Sequence, residues 1–232
     1  MKTSMLQHIK GKLIVSCQAL EHEPLHSPCI MSRMAVAAKE GGAMAIRANS
    51  PRDVEAIMNA VDLPVIAIFK RDYPGSEVFI TATLREVEAL MATSPPMIAM
   101  DATLHTRPGE QQLAELVAAI RARYPHLLLM ADIATVGEAR NAASLGFDCV
   151  GTTLHGYTRE TAGKKLADND YQFLREVIAA VDVPIIAEGN VETPEMAAQC
   201  LQVGAYAVVV GGAITRPQQI TRRFVNAMTT PV

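Results

Sequence analysis

The chain has 232 residues, half of them hydrophobic, and a formal net charge of −3. That length suits a single domain with one filled core, and the weakly acidic balance leaves no basic footprint for nucleic acid or an anionic membrane. Apolar stretches such as LLLMA from Leu127 are far too short to span a bilayer, and the opening MKTSMLQHIKGK lacks the apolar segment and cleavage site of an export signal.

Short runs rich in Val, Ile, Ala and Met recur along the chain. In order they are LIVSCQ (13–18), AMAIRA (43–48), PVIAIFK (64–70), MIAMDA (97–102), LLLMADI (127–133), CVGTTL (149–154), PIIAEGN (184–190) and AVVVGGA (207–213). They are near-continuous rather than alternating, which is the pattern of parallel strands buried on both faces. Segments of helical period separate them. Ser50-Pro51 and Thr193-Pro194 read as an N-cap followed by proline at the first helical position. Thr83 with Glu86, and Thr135 with Glu138, fit capping boxes. Gly41, Gly146 and Gly204 follow helical stretches, where a left-handed residue is wanted. Eight strand–helix units with no linker predict a single-domain α/β protein, a (β/α)8 TIM barrel over residues 1–232, close to the usual ~250. An open doubly wound sheet is the alternative. Its first turn usually carries GxGxxG, whereas SCQALEHEPLHSP here has no glycine.

Barrel enzymes work at the carboxyl ends of their strands. Those ends here offer Gln18, Arg47, Lys70, Asp101, Asp132, Thr152 or Thr153, Glu188 and the Gly211-Gly212 pair. Taken singly, each reads equally as a hydrophilic strand boundary. Taken together, acids, an amine and a guanidinium would converge on one mouth. Two of the runs are near-copies, AVDLPVIAIFK from Ala60, closing at Lys70, and AVDVPIIAEGN from Ala180, carrying Glu188. The glycines at Gly189-Asn190 and Gly211-Gly212 sit where barrels often build a phosphate site, with Arg216 just beyond. The competing reading is that they relieve crowding at barrel corners.

VSCQA (15–19), IRANS (46–50), FKRDYP (69–74), MADIAT (130–135), GTTLHGYT (151–158), AEGNVETPE (187–195) and VVGGAITRP (209–217) together resemble the bacterial N-acetylmannosamine-6-phosphate 2-epimerases of sialic acid catabolism. The resemblance covers essentially the whole chain. It implies a TIM barrel interconverting N-acetylmannosamine 6-phosphate and N-acetylglucosamine 6-phosphate. It also implies a proton-transfer lysine at Lys70, an acidic partner at Glu188, and substrate contacts at Gln18, Arg47, Asp132 and Arg216. Thr153 and Tyr73 join the expected substrate contacts, although Tyr73 and Tyr157 fit loop packing as well as a lid. In KRDYPGSEVFIT, Gly75 stands where the resemblance leads one to expect an acid.

The chemistry suits these residues. Carbon 2 of a 2-acetamido sugar turns acidic once the ring opens and carbon 1 is an aldehyde. Lys70 can take that proton only when neutral, and desolvation together with Arg47 favours neutrality. A nearby ionised Glu188 opposes it, so the two titrate as a pair. A structural salt bridge for Lys70, a hydroxyl-orienting role for Glu188 and a single-base mechanism all stay open. Asp132 is read as a ligand of sugar hydroxyls, and Asp101 as a support for Asp132 or for a neighbouring helix N-terminus. The histidines are too scattered for a catalytic zinc or iron, so no metal and no cofactor are expected. Cys17, Cys29, Cys149 and Cys200 show no Cys-x-x-Cys spacing and read as reduced, buried thiols of a cytoplasmic protein. The expected partners are a small amino-sugar phosphate and a second copy in a homodimer. Two rivals remain. A Schiff-base aldolase would place its lysine after the sixth run, where none stands, and a sugar-phosphate sensor would not need the Lys–Glu pair.

Overall fold

The computed structural model describes residues 2–229. A helix, α1 (Lys2–Ile9), precedes eight parallel strands that close on themselves in chain order. The strands are β1 (Leu13–Cys17), β2 (Ala45–Asn49), β3 (Val65–Ile68), β4 (Met97–Asp101), β5 (Leu128–Asp132), β6 (Cys149–Gly151), β7 (Ile185–Ala187) and β8 (Ala207–Val210). The helices after the first seven are α2 (Pro28–Glu40), α3 (Pro51–Ala60), α4 (Leu84–Met91), α5 (Leu113–Arg123), α6 (Val136–Ser144), α7 (Asp168–Ala180) and α8 (Pro194–Val203). The one-turn α9 (Gly212–Thr215) and then α10 (Pro217–Thr229) follow β8. At the seam, Leu13, Ile14 and Val15 of β1 stand opposite Val208, Val209 and Val210 of β8. This is a (β/α)8 barrel.

The runs are continuous because the sheet separates two cores. Ile14, Ile66, Met97, Leu128, Ile186 and Val209 fill the barrel, while Val15, Val65, Ile98, Leu129, Ile185 and Val208 pack under the helices. Alternate side chains along each strand serve one core and then the other. Helix α1 has no counterpart among the expected elements. Its Met5 and Ile9 join the interior cluster and close the amino end of the barrel.

The strands are shorter than the apolar runs. β3 stops at Ile68 and β7 at Ala187, so Lys70 and Glu188 project from just beyond the sheet. There the chain peels away, and Lys70 faces Ile80 in an isolated antiparallel bridge. The helix starts agree with the sequence. Ser50 Oγ accepts from Asp53 N and Thr193 Oγ1 from Met196 N, and both expected capping boxes form. Such caps contribute about 1 kcal/mol each. Gly146 and Gly204 take left-handed φ of 84° and 115°. Gly41 does not. Its φ is −74° because its N–H still bonds Ala37 O, and the reversal falls one residue later at Gly42, φ 95°. Cys29 is a second correction. It lies on the solvent side of the first turn of α2 and is exposed, unlike the other three cysteines, which are buried and unpaired.

Candidate active site

Strand parity builds the site. Two residues on from inward-facing Ile14 come Ser16 and then Gln18, and Ala45 leads to Arg47. In the same way Ile68 leads to Lys70, Ala99 to Asp101, Met130 to Asp132, Ile186 to Glu188 and Val209 to Gly211. The period of two therefore aims each of these at the barrel axis as its strand ends. Five of them, Ser16, Gln18, Lys70, Glu188 and Gly211, border a cavity of about 450 Å³ whose wall also includes Thr153, Tyr157, Gly189, Asn190, Gly212, Arg216 and Arg223.

Its floor is an ion network. Arg47 grips Asp132 through both ends of its fork, Nη1 to Oδ1 at 3.0 Å and Nη2 to Oδ2 at 2.6 Å, and Nη1 reaches Glu188 Oε2 at 2.9 Å. Thr153 Oγ1 lies within reach of both acids, 2.7 Å from Asp132 Oδ1 and 3.1 Å from Glu188 Oε2. The side chains of Arg47 and Asp132 are 1% and 0% exposed, against 13% for Glu188. Arg47 and Asp132 thus sit beneath the cavity instead of on its wall, and both Asp132 oxygens are taken. That differs from the hydroxyl-binding role expected of Asp132, since the guanidinium needs a full counter-charge once it leaves water. Burial works against the Arg47 charge, but the Asp132 and Glu188 carboxylates outweigh it and hold the guanidinium firmly protonated. Burial pushes the Glu188 carboxyl above its ordinary value and Asp132 adds to this, against Arg47, Thr153 and Lys70.

Lys70 is fixed through its backbone, whose N–H donates to Asn49 Oδ1 at 2.8 Å. Burial first, then the charges of Arg47 and Arg216, pull its amine down to about 8 from 10.5. Of the two threonines after β6, Thr153 lines the cavity. Thr152 lies behind it and pins Glu188, donating from Oγ1 to Glu188 O at 2.7 Å and accepting from Glu188 N at 2.9 Å.

The remaining expected residues divide between the cavity wall and its surroundings. Tyr73 donates to the buried Glu86 at 2.7 Å, which ties it to the start of α4 and leaves it off the cavity wall. Tyr157 is on the wall, with its hydroxyl 3.2 Å from Asn190 Oδ1. Asp101 Oδ1 accepts from the N–H and hydroxyl of Thr103, and Arg107 holds the Asp101 carbonyl, so this acid braces the loop after β4. His155 is buried, stacked at 3.7 Å on Phe173, with Nδ1 3.0 Å from Ala134 O. Among the described residues no three of His, Cys, Asp and Glu are grouped so as to hold a metal ion.

Both readings of the glycines find ground. A Cβ on Gly211 would come 3.3 Å from Ser16 Cβ, and one on Gly189, where φ is 99°, 3.3 Å from Thr153 O. Yet both glycines also border the open cavity, and the first N–H groups of α9 have no acceptor within that helix. Beside them, Arg216 Nε and Nη2 donate to the two oxygens of Glu23 at 2.7 and 2.9 Å. Glu23 was not anticipated. It sits in an aperiodic loop 193 residues away from Arg216 and meets it only because β1 and β8 are neighbours. Ser16 and Asn49 were missed too, although their strand parity marks them.

Comparison with known proteins sharpens this picture. A family model described as "Putative N-acetylmannosamine-6-phosphate epimerase" matches residues 31–230. A protein of Enterobacter sp. (strain 638) named "Putative N-acetylmannosamine-6-phosphate 2-epimerase" is 67% identical over 228 residues, 98% of this chain and 97% of its own. One of the same name from Shouchella clausii (strain KSM-K16) is 59% identical over 97% of this chain and 99% of its own. The solved N-acetylmannosamine-6-phosphate 2-epimerase of Clostridium perfringens superposes with a TM-score of 0.92 at 50% identity, covering 96% of each chain. A thiamine phosphate pyrophosphorylase from Pyrococcus furiosus, at 17% identity and a TM-score of 0.62, shares the fold alone.

Proposed function

The chain belongs to the N-acetylmannosamine-6-phosphate epimerase family, and from that premise we propose that it interconverts N-acetylmannosamine 6-phosphate and N-acetylglucosamine 6-phosphate by moving the proton on carbon 2. It is an enzyme of the carbohydrate-phosphate epimerase kind. In this reading the open-chain sugar offers carbon 2 to Lys70, which removes the proton as the neutral amine. The resulting enolate takes a proton back on the other face, with Glu188 as partner. No metal and no cofactor take part. The observation that carries the mechanism is one cavity holding a lysine drawn down to about 8 and a carboxyl raised by burial. A base near neutrality and an acid that keeps its proton longer than usual are what a reversible carbon acid reaction needs.

Arg47 and Asp132 act through Glu188 here, fixing its charge and direction from below. Gln18 and Thr153, both on the cavity wall, are proposed to receive sugar hydroxyls or the acetamido group, and Tyr157 to border the mouth. Tyr73 belongs to this scheme only by resemblance, because its hydroxyl is engaged by Glu86. Gly189, Asn190, Gly211, Gly212 and Arg216 are proposed to hold the 6-phosphate. Carbon 2 should acquire deuterium when the 6-phosphate of either sugar is incubated in D2O, and the other epimer should accumulate. The unphosphorylated sugars should show a specificity constant more than tenfold lower, since remote binding energy positions the reacting carbon. Epimerisation with no deuterium at carbon 2 of the product would rule out proton return from a solvent-exchanged Glu188. Near-equal constants for the two sugars would return the glycines to a purely structural role.

We further propose a cytoplasmic enzyme of sialic acid breakdown that works as a homodimer. Among the described residues no helix is long and apolar enough to cross a membrane. Support for the dimer comes from α10, none of whose described side chains is buried, with Phe224, Val225 and Met228 at 70%, 50% and 84% exposure. Such a cluster on one helix marks an interaction face, and self-association around a twofold axis is the commonest use. Phe224→Asp with Met228→Asp should halve the mass found by sedimentation. An unchanged mass would remove α10 from the interface.

A further inference from the structure

We propose that Glu23 is a positioning residue for the substrate phosphate, holding Arg216 side-on so that the outer edge of its guanidinium is left for the anion. The proposal rests on Arg216 being a phosphate ligand. A guanidinium has two bidentate edges. Glu23 occupies the one formed by Nε and Nη2, at 2.7 and 2.9 Å. Nη1 donates to no described residue, while Arg216 lines the cavity and its Cδ runs past Gly212. A planar group fixed along one edge presents the other in a set direction, and that is the geometry with which arginine reads phosphate.

Glu23 is built to stay where it is. Besides the two bonds from Arg216, its Oε2 accepts from Leu20 N at 2.8 Å and its Oε1 from Gln218 Nε2 at 3.0 Å. Its side chain is 11% exposed. Burial alone would raise its carboxyl, but the hydrogen bonds from Arg216 and Leu20 overcome this and hold it below the ordinary value, so the anchor stays ionised. Four donors on two oxygens make exchange of Arg216 from Glu23 to phosphate costly, because the carboxylate would be left half-satisfied. An anchor fits this arrangement better than a competitor. Glu23 also joins the loop after β1 to the start of α10, so the loop carrying Gln18 and the segment carrying Arg216 are held as one piece.

The test compares KM and kcat for N-acetylmannosamine 6-phosphate and the free sugar in wild type, Glu23→Ala, Arg216→Ala and the double variant. Inorganic phosphate serves in addition as a competitive inhibitor. Glu23→Ala should raise KM for the phosphorylated sugar on the order of tenfold, as loss of an orienting partner does at metal sites, with kcat little changed. The inhibition constant of phosphate should rise in parallel, the free sugar should be unaffected, and Glu23→Ala should add nothing in the Arg216→Ala background. A fall in KM would mean that Glu23 competes with phosphate and would overturn the proposal. So would equal losses on both sugars, or a loss that persists without Arg216, since either marks Glu23 as general scaffold. If Arg216→Ala itself leaves the preference for the phosphorylated sugar intact, the phosphate assignment fails and Glu23 falls with it. Should Glu23→Ala not fold, Glu23→Gln keeps one acceptor and must still raise KM for the phosphorylated sugar alone.

Discussion

Lys70→Met is expected to abolish exchange of the carbon 2 proton with solvent while leaving the barrel folded. Loss of a positioned acid–base group costs ~10²–10⁴-fold in rate, and a sole base still more. The fold should not suffer. Below about pH 8 the wild type keeps a charged amine partly out of water, a cost that vanishes as pH rises through 8 toward 10.5. Methionine removes that cost at neutral pH, so the variant should melt no lower than the parent there. The same titration sets the wild-type profile. The amine must be neutral to act, so kcat/KM should climb with pH on a limb centred near 8. Near-normal deuterium exchange in Lys70→Met, or a flat profile between pH 6.5 and 9, would take Lys70 out of the chemistry.

Arg47→Met should be the most damaging single change to stability. It strands the Asp132 and Glu188 carboxylates, 0% and 13% exposed, without their counter-charge. Removing one partner from a buried ion network costs about 3–5 kcal/mol. The sign with pH is fixed by Glu188. Its carboxyl is already raised by burial, and losing Arg47 raises it further. A carboxyl whose folded value is raised favours the folded state at low pH and loses that advantage as pH climbs through the folded value. The gap between wild type and variant should therefore be wider at pH 8 than at pH 5, as measured by urea unfolding at the two values. A gap below ~1 kcal/mol at pH 8 would mean that water reaches the pair and the floor is not sealed.

The barrel was legible because its strands are buried on both faces and so appear as unbroken apolar runs. Lys70 and Glu188 stood out as candidates because a charge at the end of such a run has no place in a core, and both line the cavity. Pairing between distant loops was not legible. Glu23 and Arg216 are joined by closure of the barrel, and no local pattern announces a closure contact. Depth was hidden as well. Arg47 and Asp132 end their strands in the same manner as Lys70, yet the Arg47–Asp132 fork draws them below the wall. Tyr73 read equally as a lid or as loop packing, and the buried acid Glu86 in the first turn of α4 claims its hydroxyl. The left-handed turn at Gly42 in place of Gly41 reflects one more helical hydrogen bond than sequence spacing reveals.

The closed amino end has a kinetic meaning. With α1 seated under an interior packed by Ile14, Ile66, Met97 and Met130, the described residues fill the barrel at its amino end, and the cavity lies beyond the carboxyl ends of the strands. Two epimers that differ only in the hand of one carbon must enter and leave at that same end, and neither can be drained from behind. Traffic in one direction therefore obstructs traffic in the other. Each epimer competes with the other for the same chamber, so the product of either direction should act as a competitive inhibitor of that direction.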